Sequence, residues 1–290
     1  MNTLSMRSVM DFLGRVITVG VVYTGTLIVV NYGLPMQAQG DILTNERMLL
    51  LWTFIGSLLM ALVIGLTAET IPATRTRHLG IWSSLLLGNA AAALLERAIY
   101  TSLTISEVIF LLLQQLLACV ITADVIFYFF APRGLPGHAR AHHHWLGWLG
   151  RFAAAALASV VFYFAFSAIN YSLISQPYYS ASLNNLIVPK PQTVLLVQLL
   201  RAPFVIFSLL PFLLTVHTLL PRLLVTSGLL LFIVGGIMPF LWQINQLPVD
   251  LLLASGLELL AQYFATGAMA AWLLGSFVTG HAHTPRLNHS

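Results

Sequence analysis

Apolar residues recur along the chain in eight long runs, separated by short segments carrying proline, glycine and most of the charge. The runs lie at about residues 14–34, 48–70, 79–101, 106–131, 148–174, 193–219, 223–243 and 251–277. Each is long enough to carry a helix across ~30 Å of hydrocarbon at ~1.5 Å per residue. The breaks hold turn chemistry at Gly33–Pro35, Pro72, Pro132–Pro136, Pro177, Pro189–Pro191, Pro221 and Pro248. The pattern predicts an all-α polytopic membrane protein with eight transmembrane helices, a single integrated membrane domain.

Composition strengthens this picture. Of 290 residues, 58% are hydrophobic and 8% charged, against ~25% charged in a soluble domain. So few charges leave lipid as the solvent for most of the surface. The formal charge of +4 comes from basic residues scattered through short loops, with no dense patch; no nucleic-acid partner is expected. Cys119 is the lone cysteine and sits in an apolar run, so no intrachain disulfide framework exists. Asp11 and Arg15 interrupt the approach to the first run, and no small-residue cleavage site closes it; a cleaved signal peptide is not expected.

Basic residues set a direction. Arg7, Arg15, Arg75, Arg77, Arg133, Arg140, Arg151, Arg222 and Arg286 fall on one side of the predicted spans, Arg47 and Lys190 on the other with Asp41, Glu46, Glu107 and Asp250. The positive-inside rule places the first group in the cytoplasm. The expectation is a multi-pass protein of the cell (inner) membrane with cytoplasmic N- and C-termini.

The two halves, 1–140 and 141–290, share local likenesses. Leu13-Gly14-Arg15 opens the first run and Leu149-Gly150-Arg151 the fifth; Asn31-Tyr32 closes the first and Asn170-Tyr171 the fifth. Ser84-Leu85-Leu86-Leu87 resembles Ser227-Gly228-Leu229-Leu230, and Leu113-Gln114 through Leu117-Ala118 resembles Leu257-Glu258 through Leu260-Ala261. Two parallel four-helix repeats would be related by an axis along the membrane normal. Chance matching of leucine-rich helices is the competing account, and the unequal spacing of the first pair demands a gap inside a helix.

Ionisable groups at membrane depth cost several kcal/mol unless they face the bundle interior and find partners. Glu96, Arg97, Asp124, Arg201 and Glu258 lie within the predicted spans. Glu258 is eight residues past Asp250, or roughly 12 Å inward by helix rise. Arg201 is ten past Pro191, or roughly 15 Å. Glu96, Arg97, Gln114 and Gln115 fall in the same outer-half layer, while Asp124 lies toward the opposite edge. Helical spacing aligns Gln198, Arg201, Ser208 and Thr215 on one stripe; Ser255, Glu258, Gln262 and Thr266 on another; Asn89, Glu96 and Tyr100 on a third; and Ser159, Tyr163, Ser167 and Asn170 on a fourth. Lipid would disfavour such stripes, so they are expected to turn inward.

Arg201 is expected to pair with Glu258 or Glu96, either in a polar cavity open to the outside or in buried pairs that fix helix register. Asp124 reads as a lone proton carrier or as an anchor bonded to Tyr128 one turn on. Pro203 and Pro211 are expected to kink the sixth span beside Arg201, and Gly235-Gly236 with Pro239 to weaken the seventh. The run Gly88–Ala93, and Gly267, Ala271 and Gly275 at four-residue spacing, read as close helix packing.

Absent motifs narrow the function. The chain has no GxxxxGK[ST], HExxH or GxSxG. All nine histidines fall to the expected cytoplasmic side, and the single lysine, Lys190, is in an outer loop. These positions argue against bundle haem and a retinal-type Schiff base; no cofactor and no metal is expected. The run His138 to His144 reads as a basic headgroup loop with Trp145 and Trp148 as interface anchors, rather than a metal site. The outer loop near 175–192 reads equally as a cap or as a partner contact.

Three classes remain. The foremost is a transporter or permease-like protein with a polar outer-half site built around Glu96, Arg97, Arg201 and Glu258 and a small molecule or ion as substrate; Gln114, Asp124, Gln198 and Gln262 are further ligand-binding or ion-pair candidates. The second is a noncatalytic subunit bound to a membrane protein partner or to copies of itself. The third is a membrane enzyme acting on a lipid, with a carboxylate as base. The orientation is directly testable in a Cys119→Ser background. In intact cells a membrane-impermeant thiol reagent labels Lys190→Cys and spares Arg140→Cys; the opposite result reverses the assigned direction.

Overall fold

The computed structural model describes residues 6–33, 46–71, 74–92, 94–95, 105–130, 145–180, 190–216, 218–241 and 248–275. The described chain is an all-α multi-pass membrane fold. Helix α1 is Met6–Gly33 and α2 is Glu46–Thr70. Helix α3 is Thr74–Ser83 and continues as a π-helical stretch, Ser84–Ala91. Helix α4 is Ile105–Phe129. Helix α5 is Trp145–Asn170, followed by a π stretch, Tyr171–Ser175, and a last turn, Gln176–Ser180. Helix α6 is Pro191–Leu213. Helix α7 is Leu220–Leu231, a π stretch, Phe232–Ile237, and Met238–Leu241. Helix α8 is Val249–Leu274.

Seven helical stretches among the described residues are long and apolar enough to cross a membrane. Helix α3 occupies the remaining predicted span, whose end at 96–101 lies outside the described residues. Several boundaries differ from the sequence pattern: α1 starts at Met6 rather than 14, α3 at Thr74 rather than 79, and α5 runs on to Ser180 rather than 174. Helix α6 stops at Leu213 rather than 219, and α7 starts at Leu220 rather than 223. Pro221 sits in the first turn of α7, where proline costs no hydrogen bond, so it opens the helix instead of holding it off. Pro203 and Pro211 stand inside α6, which runs through both.

Which helices touch follows a regular scheme. Helix α1 packs on α2 and α4, while α5 packs on α6 and α8. Helix α3 packs on α4 and crosses to α6, while α7 packs on α8 and crosses to α2. The α3 and α7 π stretches meet each other at the centre. Exchanging α1–α4 with α5–α8 in order leaves this scheme unchanged.

Close approach is set by small residues, because lipid tails offer no apolar driving force between helices. A Cβ on Gly235 would lie 3.1 Å from the carbonyl oxygen of Gly88 and 2.7 Å from the Tyr263 ring. Ser83 and Ser84 donate to the Ser208 carbonyl at 3.1 and 3.3 Å, tying α3 to α6. Side chains from all eight helices, among them Tyr23, Met60, Leu85, Ile126, Phe152, Leu209, Leu231 and Ala270, form one contiguous core.

The tightest helix contact lies between α7 and α8. A Cβ on Gly267 would fall 2.4 Å from the Ser227 carbonyl oxygen and 2.7 Å from Gly228 Cα. Both neighbours are backbone, so neither yields by a rotamer change. Gly267→Ala is therefore expected to cost about 1–3 kcal/mol. The buried Cys119 thiol supplies the readout, since a thiol-reactive fluorophore reports thermal unfolding in detergent. Gly14→Ala, which meets nothing within 4 Å, serves as control. Equal midpoints for the two variants would remove the packing argument.

Candidate functional site

The polar stripes read from the sequence fall on buried or half-buried helix faces. On α6, Gln198, Arg201 and Ser208 are buried, Arg201 to 3% exposure. On α8, Gln262 and Thr266 are buried and Glu258 is half-buried. On α5, Tyr163 and Asn170 are buried, with Ser159 and Ser167 half-buried. Asn89 on α3 is buried. Glu96, Arg97 and Tyr100 lie outside the described residues, as do the loop of His138 to His144 and residues 181–189 of the outer loop near 175–192.

The α5, α6 and α8 stripes converge. Ser167 and Asn170 of α5 both donate to the Glu258 carboxylate. Ser175 Oγ then donates to Asn170 Oδ1 at 3.0 Å, fixing the amide so that its NH2 faces Glu258. About two turns further along the seam, Thr266 Oγ1 meets Ser159 Oγ at 3.5 Å. Arg201 donates through Nη1 to Gln198 Oε1 at 3.0 Å and through Nη2 to the Tyr263 hydroxyl on α8. Its Cζ stands 5.3 Å from the Tyr263 ring centroid. Arg201 and Glu258 each have contacts beyond these. Tyr263 thus carries the guanidinium to the helix that bears the carboxylate.

Two buried amide atoms at this site have no hydrogen-bond partner among the described residues: Gln198 Nε2, a donor, and Gln262 Oε1, an acceptor. Each such atom costs about 1–3 kcal/mol when left dry. Their amides flank the charged pair in sequence, Gln198 one turn before Arg201 and Gln262 one turn after Glu258.

A second buried polar cluster, in the first half, is neutral. There Tyr23 donates to Gln115 Oε1 at 3.2 Å, and Asn89 Nδ2 donates to the Tyr23 hydroxyl at 3.4 Å. Gln114 Nε2 reaches the Leu27 carbonyl at 3.4 Å. These bonds close a buried network among α1, α3 and α4.

Asp124 stands apart from both clusters. His78 Nε2 lies 2.9 Å from Asp124 Oδ1, and the His78 ring stacks on Phe127 at 4.7 Å. The expected bond to Tyr128 gives way to this one: Tyr128 is 79% exposed. Asp124 is therefore neither a lone carboxylate nor a member of the outer-half layer.

The spacing of the sequence does not reveal Tyr263, Tyr23 or His78 as partners. The available signal was a tyrosine far from either helix end, where an interfacial anchor has no use. No group of three or more His, Cys, Asp or Glu side chains fit to hold a metal occurs among the described residues.

The fold and site define a class: a multi-pass membrane protein with hydrogen-bonded charge inside its helical bundle. Compared with known proteins, the chain matches no family model, no curated protein and no solved structure.

The α5–α8 seam makes a quantitative expectation. Glu258→Leu and Asn170→Ala, measured singly and together, are expected to couple by about 0.5–3 kcal/mol in unfolding free energy. Strict additivity would mean that the Asn170–Glu258 bond does not form in the folded protein.

Proposed function

We propose that the chain is a transporter or permease-like protein that moves a small charged solute, with its binding site in the α5–α6–α8 seam. Arg201 and Gln198 supply donors on α6. Glu258 and Gln262 supply acceptors on α8. Tyr263 bridges the two helices and touches the π stretch of α7 through Gly235. The observation that carries this reading is the pair of buried amide atoms without protein partners beside a buried guanidinium and a carboxylate. A purely structural ion-pair network is expected to satisfy its own donors and acceptors, because each orphan weakens the fold. Glu96 and Arg97 extend the same site in this reading, and Gln114 marks the equivalent, neutral position in the first half. Asp124 is left out of it.

The same reading treats the two halves as parallel repeats in the cell (inner) membrane, with cytoplasmic termini. The exchange-invariant packing of α1–α4 and α5–α8 supports this, as does the pairing of Gln114 with Glu258 in the sequence likeness. A pseudo-two-fold axis between α3 and α7 lets one half move against the other about a fixed contact.

Solutes are to be screened by transient currents from proteoliposomes on a supported membrane, with small anions, cations and zwitterions offered in turn. Wild-type protein is expected to respond to one class. Arg201→Gln is expected to lower that response at least about tenfold while unfolding within a few degrees of wild type. A folded Arg201→Gln protein with the wild-type response would overturn the assignment.

A further inference from the structure

A second charged group is buried at the other membrane edge, on α3. Arg77 is 5% exposed, and its Cζ lies 4.7 Å from the Phe127 ring centroid of α4. Its Nε is sealed from solvent without a hydrogen-bond partner. Among the described residues no carboxylate, hydroxyl or carbonyl pairs with this guanidinium. The described carboxylates in the flanking turns of α1, α2 and α4 do not pair with it. Asp124 is held by His78, Asp11 is exposed on α1, and Glu69 is half-buried at the end of α2. A buried cation that meets only an aromatic face among the described residues is costly, so it calls for an anion.

The local backbone points the same way. Arg77 is the fourth residue of α3, which opens Thr74-Arg75-Thr76-Arg77. The first four N–H groups of a helix have no partner within it, and the helix dipole favours negative charge there. Long side chains on a helix lean back over the preceding turn, so a residue at this position has those N–H groups within its reach. A second cation meets the same end of α4: Arg15 of α1 donates through Nη1 to the Phe129 carbonyl at 3.0 Å. His78 and Trp82, 6.5 Å apart and edge to face, and Phe127 form an aromatic wall at the same edge.

We propose that Arg77 and the first turn of α3 bind a phosphate oxyanion at this membrane edge. The fork of the guanidinium accepts two phosphate oxygens in parallel, and backbone N–H groups take a third. A phospholipid headgroup arrives at this depth from the membrane plane; a soluble phosphate arrives from the aqueous side. The site is separate from the α5–α6–α8 seam and does not depend on what that seam binds.

Native mass spectrometry of the detergent-purified full chain tests this, with dioleoyl phosphatidylglycerol, dioleoylglycerol and inorganic phosphate as separate probes. Retention of phosphatidylglycerol but not of dioleoylglycerol, reduced at least about fivefold in Arg77→Met and kept in Arg75→Met, establishes a headgroup site. Retention of inorganic phosphate with the same dependence on Arg77 establishes a site for soluble phosphate. Arg77→Lys, which keeps the charge but loses the fork, is expected to fall between the two and covers the case in which Arg77→Met fails to fold. Retention of neither phosphate probe by wild type, or equal retention by wild type and both Arg77 variants, overturns the proposal.

Discussion

A charge inside hydrocarbon must be surrounded before the helix that carries it is stable, and this requirement orders the second half of the molecule. Arg201 lies about ten residues inside α6 and Glu258 about nine inside α8, too deep to reach water by extending along the helix. Each is met by side chains on its own or a neighbouring helix: Gln198 and Tyr263 for the guanidinium, Ser167 and Asn170 for the carboxylate. These bonds dictate which faces of α5, α6 and α8 turn toward one another. The leucines on the outer faces, such as Leu196, Leu199 and Leu257, are left for lipid. Apolar packing alone would not choose this rotation, since lipid tails and leucine are nearly equivalent solvents.

The first half solves the same geometric problem without charge. Tyr23, Asn89 and Gln115 bond in a closed set among α1, α3 and α4. Helix contacts in the two halves correspond, yet one polar cluster is neutral and satisfied while the other is ionised and keeps two amide atoms unmatched. A neutral cluster fixes register at lower desolvation cost than a charged one, so register alone does not account for the charge in the second half. The asymmetry therefore directs attention to α5, α6 and α8 rather than to the bundle as a whole.

The helical architecture was legible in the sequence because hydrocarbon imposes a length and a composition that few other environments share. The inward stripes were legible for the same reason: Gln198, Arg201 and Ser208 repeat at helical spacing in a chain where polar residues have nowhere else to go. Partner identity was harder to read. Spacing along α6 and α8 gives the face of each residue but not the rotation of one helix against another, so Tyr263 was overlooked as the group that meets Arg201. Asp124 illustrates the same limit. Its own helix offers Tyr128 one turn away, but His78 on α3 supplies the stronger, charge-assisted partner. Pro221 was read as a breaker because composition does not distinguish the first turn of a helix from the gap before it.

The π stretches show what a sequence pattern conceals most completely. Ser84–Ala91 and Phe232–Ile237 read as ordinary membrane helix, interrupted only by Ser84, Asn89 and the glycines Gly88, Gly235 and Gly236. Widening a helix turn costs hydrogen-bond geometry and is retained mostly where it re-aims side chains. Here it occurs in both central helices, where the Gly88 carbonyl faces Gly235 and the Tyr263 ring covers Gly235 and Gly236. The aromatic ring that bonds Arg201 is thus seated on the distorted turn of α7. A change in that turn displaces Tyr263, and a displaced Tyr263 alters the hydrogen bonding of Arg201. The polar seam and the centre of the bundle are mechanically joined through one side chain, so movement of α7 against α3 cannot leave the buried guanidinium unaffected.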